Sequence, residues 1–123
     1  MQRHVAGTAI ALALSGCGTP NPAQEAANDE SMRVAQYQVA AKEAMKAALK
    51  DPESAKYKEV RAVPFSSGYA FCGKVNSKNG LGGYTGYQRF VAGPTMAATE
   101  DMVKDFPVVW TQICSPAGQQ VWF

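Results

Sequence analysis

Between Ser31 and Pro52 the apolar residues Val34, Tyr37, Ala41, Ala44, Met45 and Ala48 recur at helical spacing, which gathers them on one face. Lys42, Lys46 and Lys50 fall on the opposite side, with Glu43 one helical step before Lys46. Ser31 suits an N-cap and Pro52 disfavours a helical residue before it, so the pattern predicts an amphipathic helix from Ser31 to the Asp51-Pro52 stop. Its apolar face is largely alanine, which suits close packing on a sheet better than insertion into lipid.

From Tyr57 the period changes to two. KYKEVRAV alternates until PFSSG, and YAFCGKVN, YTGYQRFVA, PVVWTQIC and QQVWF follow as short strand-like runs. They are separated by a glycine-rich turn, by GPT with a polar stretch over 96–105, and by Ser115-Pro116-Ala117-Gly118, which fits a type I turn. One helix followed by about five short strands predicts an α+β domain over 31–123. The helix is expected on one face of a single antiparallel sheet, with QQVWF closing a last hairpin. Phe71 and Val75 share one strand face, as do Val109 and Ile113, so Cys72 and Cys114 lie opposite those pairs. There they can bridge adjacent strands without opening the core.

A chain of 123 residues allows one domain, and a net charge of +2 is too mild to imply a nucleic-acid partner. The N-terminus adds more. MQRHVAGTAIALALSGC has a basic start (Arg3, His4), an apolar run from Val5 to Leu14, and small residues before Cys17, which is the pattern of an export signal. The run is about half the length that spans a bilayer. Leu14-Ser15-Gly16-Cys17 resembles the lipobox of bacterial lipoproteins, in which the signal is cut before the cysteine and the cysteine is acylated, with palmitate among the chains. The resemblance implies a signal peptide over 1–16, lipidation at Cys17, membrane lipid as a partner and a place in the cell envelope. Gly18 stands where enteric lipoproteins retained at the inner membrane have aspartate, which implies the outer membrane, periplasmic face. A buried helix ending in cysteine is the plain alternative. TPNPAQEAAND has no large apolar residue and no periodicity, so 17–30 is expected to be a lipid-anchored flexible tether.

With Cys17 assigned to lipid, Cys72 and Cys114 remain, and in an oxidising compartment they predict one disulfide. Closing a loop of that size stabilises by roughly 4 kcal/mol on the chain-entropy argument. No metal or other cofactor is expected: the only histidine, His4, lies in the signal-like segment, and two cysteines without further ligands do not hold zinc.

CGKVNSKNGLGGYTGYQRF, from Cys72 to Phe90, is the most unusual stretch. Its glycines lead into a β-like segment with no lysine at the phosphate-binding position, so it is neither a P-loop nor a dinucleotide fingerprint. Asn79-Gly80 suits a tight turn, and Gly86 inside a strand suggests close approach by another group. A hairpin with purely geometric glycines is one reading. The other is a recognition surface: Lys74, Asn76, Lys78, Asn79, Tyr84, Tyr87 and Arg89 cluster there, and Val60 to Thr99 holds four basic residues and no acidic one. That chemistry suits a polar or anionic envelope component such as a glycan, a lipid headgroup or an acidic protein surface. LKDPESAKYKEV, then CGKVNSKNGLGGYTGYQRFV and a later cysteine, resemble a recurrent small exported domain of bacteria and their mobile elements, most specifically in the string CGxVNxKNxxGGYxGY. This resemblance covers most of 45–114, supports the disulfide and the hairpin, and transfers no catalytic residue.

Signals for an enzyme are thin. Ser54-Ala55-Lys56 is one residue short of Ser-x-x-Lys, and Glu100, Asp101 and Asp105 match no calcium loop. The expected function is a non-catalytic binding or accessory role at the membrane, with contacts through the 74–89 hairpin. The alternative is a phage- or plasmid-type exclusion factor, or an inhibitor of an envelope receptor or cell-wall enzyme.

Overall fold

The computed structural model describes residue 18 and residues 21–123; the signal-like segment and Cys17 lie outside the described residues. Among the described residues, two helices and a five-stranded antiparallel sheet form an α+β fold with one disulfide.

Helix α1 (Pro22–Ala48) starts well before Ser31, so residues 22–30, expected as tether, are helical instead. The Asn21 side chain accepts the backbone N–H of Gln24 at 2.8 Å, and Pro22 stands in the first turn, where its missing N–H is no loss. The following PAQEAANDES consists mostly of residues with acceptable helix propensity. Residues 22–33 are all exposed, so no apolar periodicity marks that part of the helix. Farther on Val34, Ala41 and Met45 are buried, with Tyr37 and Ala44 half-buried beside them. The helix is about 40 Å long, and its early turns extend past the sheet.

The strands are β1 (Asp51–Phe65), β2 (Gly68–Lys78), β3 (Gln88–Gly93), β4 (Met96–Thr99) and β5 (Gln119–Gln120), in the order β4-β3-β2-β1-β5. Ser66 and Ser67, with φ of 45° and 65°, make the tight turn between β1 and β2, and the Ser67 carbonyl accepts from Arg33 Nη2 at 2.8 Å. Several segments depart from expectation. PVVWTQIC is not a strand: helix α2 (Phe106–Cys114) contains it. Pro107 fits a first helical turn, and Phe106, Trp110, Ile113 and Cys114 follow helical spacing toward the sheet. The polar stretch after GPT contains β4, and Tyr84–Tyr87 lies outside the strands apart from an isolated bridge between Lys78 and Tyr84. QQVWF closes no hairpin with the run before it; β5 adds to the outer edge of β1 at Arg61 and Ala62.

Both sheet faces carry a core. Under α1, Val60, Ala62, Phe71, Val75, Phe90 and Ala92 pack against Val34, Ala41, Met45 and Leu49. On the opposite face Val63, Ala70, Cys72 and Val91 pack against Phe106, Ile113 and Cys114 of α2. The Cys72–Cys114 disulfide therefore ties strand to helix within this second core, with a Cα separation of 6.1 Å. Arg61 adds a second tie: Nη1 donates to the Pro116 carbonyl at 3.0 Å and Nη2 to that of Cys114, placing a cation at the C-terminal end of α2.

Candidate functional site: a cationic and aromatic sheet face

Helix α2 covers only half of its sheet face. Strand register places the rest. Lys56 pairs with Asn76, Lys58 with Lys74, and Lys74 with Arg89. Directly opposed residues of an antiparallel pair share a face, so Lys58, Lys74 and Arg89 form a row of like charges across β1, β2 and β3. Period-two alternation sets Cys72, Lys74, Asn76 and Lys78 on that same face. The row lies beyond α2, toward the end of the sheet where β1 begins beside the C-terminus of α1.

Directly opposed like charges cost a few tenths of a kcal/mol to about 1 kcal/mol per pair. Two acids offset part of that. A register shift between Lys58 and Arg61 leaves Glu59 at a positive φ of 53°, and its Oε2 lies 2.8 Å from Lys74 Nζ. Gly73 permits this irregularity: a Cβ there would stand 2.9 Å from the Val60 Cα. Glu100 accepts from the Arg89 backbone N–H at 2.6 Å and from its Nε at 3.1 Å. Hydrogen bonding from Lys74, and then its charge, holds the Glu59 carboxyl below its ordinary range; Glu100 is lowered by the Arg89 side chain and then by the Arg89 N–H.

Lys56, Lys58 and Lys78 have no carboxylate partner among the described residues. Tyrosine rings hold them instead. Lys58 Nζ stands 3.9 Å from the Tyr87 ring centre, and Lys56 and Lys78 stand 5.1 and 5.6 Å from that of Tyr84. Two ammonium groups thus share one ring. Arg89 marks the border with the covered half, its guanidinium 5.5 Å from the Phe106 ring centre and 5.2 Å from that of Trp110.

Of the residues expected to form a contact surface, Lys74, Lys78, Tyr84, Tyr87 and Arg89 are brought together on this face. Asn76 and Asn79 serve the loop: Asn76 Oδ1 accepts the N–H of Gly86 at 3.1 Å, and Asn79 Oδ1 accepts those of Leu81 and Gly83 at 2.9 and 3.2 Å. Gly82 and Gly86, both at φ 83°, turn the loop so that the tyrosines return over the lysines. Among the described residues none comes within 4 Å of where a Gly86 Cβ would stand, so this glycine is set by its positive φ and not by the close approach expected there. Lys56 and Lys58 were missed because they lie on another strand; the alternation in KYK was the available signal. Ser54 and Lys56 form no pair of reactive groups. Ser54 Oγ donates to the Asp51 carbonyl at 2.7 Å and accepts from Lys78 N–H at 2.8 Å, while Lys56 turns to Tyr84.

Among the described residues no cluster of His, Cys, Asp and Glu could hold a metal ion, and no helix is long and apolar enough to cross a membrane. The chain matches no family model, no curated protein and no solved structure.

Proposed function

We propose that this protein is a lipid-anchored envelope protein of binding or accessory type, which holds an anionic envelope component on the uncovered sheet face. The observation that carries the reading is the in-register row Lys58, Lys74 and Arg89, flanked by Lys56 and Lys78 over Tyr84. Like charges set opposite one another on rigid strands cost stability in the free protein and are relieved by an anion. The tyrosines hold the ammonium groups in place, so little side-chain freedom is lost on binding. The lipobox-like LSGC supports the envelope setting and the anchor at Cys17. An intact mass that starts at Cys17 and carries acyl chains is the expected result for protein from a native membrane fraction; a full-length, unmodified chain would overturn the anchor.

Binding is tested by replacing Lys56, Lys58 and Lys78 together with glutamine and measuring affinity for linear polyphosphate at two ionic strengths. Wild type should bind and weaken as salt rises, and the variant should bind at least tenfold more weakly with a flatter salt dependence. Wild type that does not bind, or equal affinity for both proteins, would sink the reading.

A further inference from the structure

After α2 the chain returns along the edge of β1, and its next residues are firmly held. The Val121 N–H donates to the Val60 carbonyl at 2.9 Å, and Gln38 Nε2 donates to the Trp122 carbonyl. The Phe123 ring packs into the core, 4.8 Å centre to centre from Tyr57 and 5.5 Å from Phe90. With Val121 and Phe123 turned inward, alternation turns Trp122 outward, where it is 95% exposed. A large aromatic side chain is thus presented to water from a held backbone, and, with two side-chain torsions left to order, it offers a ligand a broad contact area.

Trp122 is among the residues that line a cavity of about 240 Å³, with Tyr57, Lys58, Glu59 and Gln120. The side chains of these residues include an ammonium donor, a carboxylate acceptor and an amide that does both. Lys58 belongs to this cavity and to the cationic row alike, so the two surfaces are continuous.

We infer that the cavity is a sugar-ring subsite with Trp122 as its stacking platform, and that the anion bound by the cationic row is an acidic glycan whose chain passes over Lys58. The inference rests on the anion-binding function proposed above. A pyranose ring has an apolar C–H face for the indole and hydroxyl groups for Glu59 and Gln120. A lipid phosphate or an acidic side chain would engage the lysines and leave the cavity unused. Glu59 is held ionised by Lys74, so it accepts hydroxyl hydrogen bonds and repels a carboxylate. A ring seated in the cavity therefore turns its carboxylate away from Glu59 and toward Lys58.

The test compares Trp122→Ala with wild type against an acidic glycan, oligogalacturonate, and an anion without sugar rings, linear polyphosphate, at equal ionic strength. Affinities come from calorimetry, and tryptophan emission gives a second readout. Oligogalacturonate should change the emission of wild type, and Trp122→Ala should bind it roughly threefold to tenfold more weakly, while polyphosphate affinity stays within about twofold. The half-buried Trp110 remains in the variant and reports that the fold is intact. Equal oligogalacturonate affinity in both proteins, or no binding of it by wild type, would overturn the sugar subsite. If polyphosphate still binds through the lysines in that case, the anion-binding function stands. If neither polymer binds, both fall.

Discussion

The half of the sheet face under α2 and the half beyond it are built on the same central strands, yet they follow opposite rules. Under α2, Val63, Ala70, Cys72 and Val91 are buried against Phe106, Ile113 and Cys114. The cation in that half, Arg61, is bonded to carbonyls at the end of α2. One alternation farther along β2, Cys72 gives way to Lys74, and like charges face one another, offset among the described residues by Glu59 and Glu100. Burial of the first half stabilises the fold through apolar area and a covalent tie. The second half is charged, with like charges directly opposed, which lowers stability. The division separates residues that keep the fold from those that, on the proposed function, serve binding.

The largest expected effect comes from breaking the covered half. Replacing Cys72 and Cys114 together with alanine removes the tie between β2 and α2 and should lower stability by about 3–4 kcal/mol, read from urea unfolding with the slope fitted separately for each protein, since the unlinked unfolded chain exposes more surface. A loss below about 1 kcal/mol would mean that apolar packing alone holds α2. The Lys56, Lys58 and Lys78 to glutamine variant is the counterpart in the open half. Its stability should stay within about 0.5 kcal/mol of wild type, whereas its anion affinity falls at least tenfold. Together the two variants separate fold from function along a single sheet face.

Much of this division was legible in local pattern, and the rest depended on distant partners. The alternation of Phe71, Cys72, Gly73, Lys74 and Val75 is visible in the sequence and assigns Cys72 and Lys74 to one face. The cysteine pair followed from counting. Helix α2 was obscured by Val108 and Val109, β-branched residues that favour strands, although Phe106, Trp110 and Ile113 already carried the helical period. The early turns of α1 carried no apolar stripe because no described residue covers them, so only the Asn21-Pro22 cap signalled the start. The cationic row was the least legible feature. It depends on which β1 residue faces Lys74, and that is decided by the irregularity at Glu59 and the close approach of Gly73 to Val60. A one-residue slip would send Lys58 to the core face, and no local signal fixes that register.

The finest way to sharpen the contrast is to remove the acids that temper the open half. Both Glu59 and Glu100 titrate below the ordinary value of 4.5 because Lys74 and Arg89 favour their ionised forms. Their contribution to stability is therefore fully present above that value and is lost as pH falls through the lowered folded values. Protonation over the same window releases the Lys74 ammonium and the Arg89 guanidinium. Linear polyphosphate stays anionic there, so wild type should bind it more tightly as pH drops below about 4.5. Replacing Glu59 and Glu100 with glutamine should give the same gain at neutral pH, roughly twofold to fivefold, and should flatten the pH profile. Both carboxylates are exposed, so the melting temperature should hardly move. If the double variant bound polyphosphate no more tightly at pH 7 and kept the wild-type profile, Lys74 and Arg89 would be structural cations, and the anion would be held by the tyrosine-stacked lysines alone.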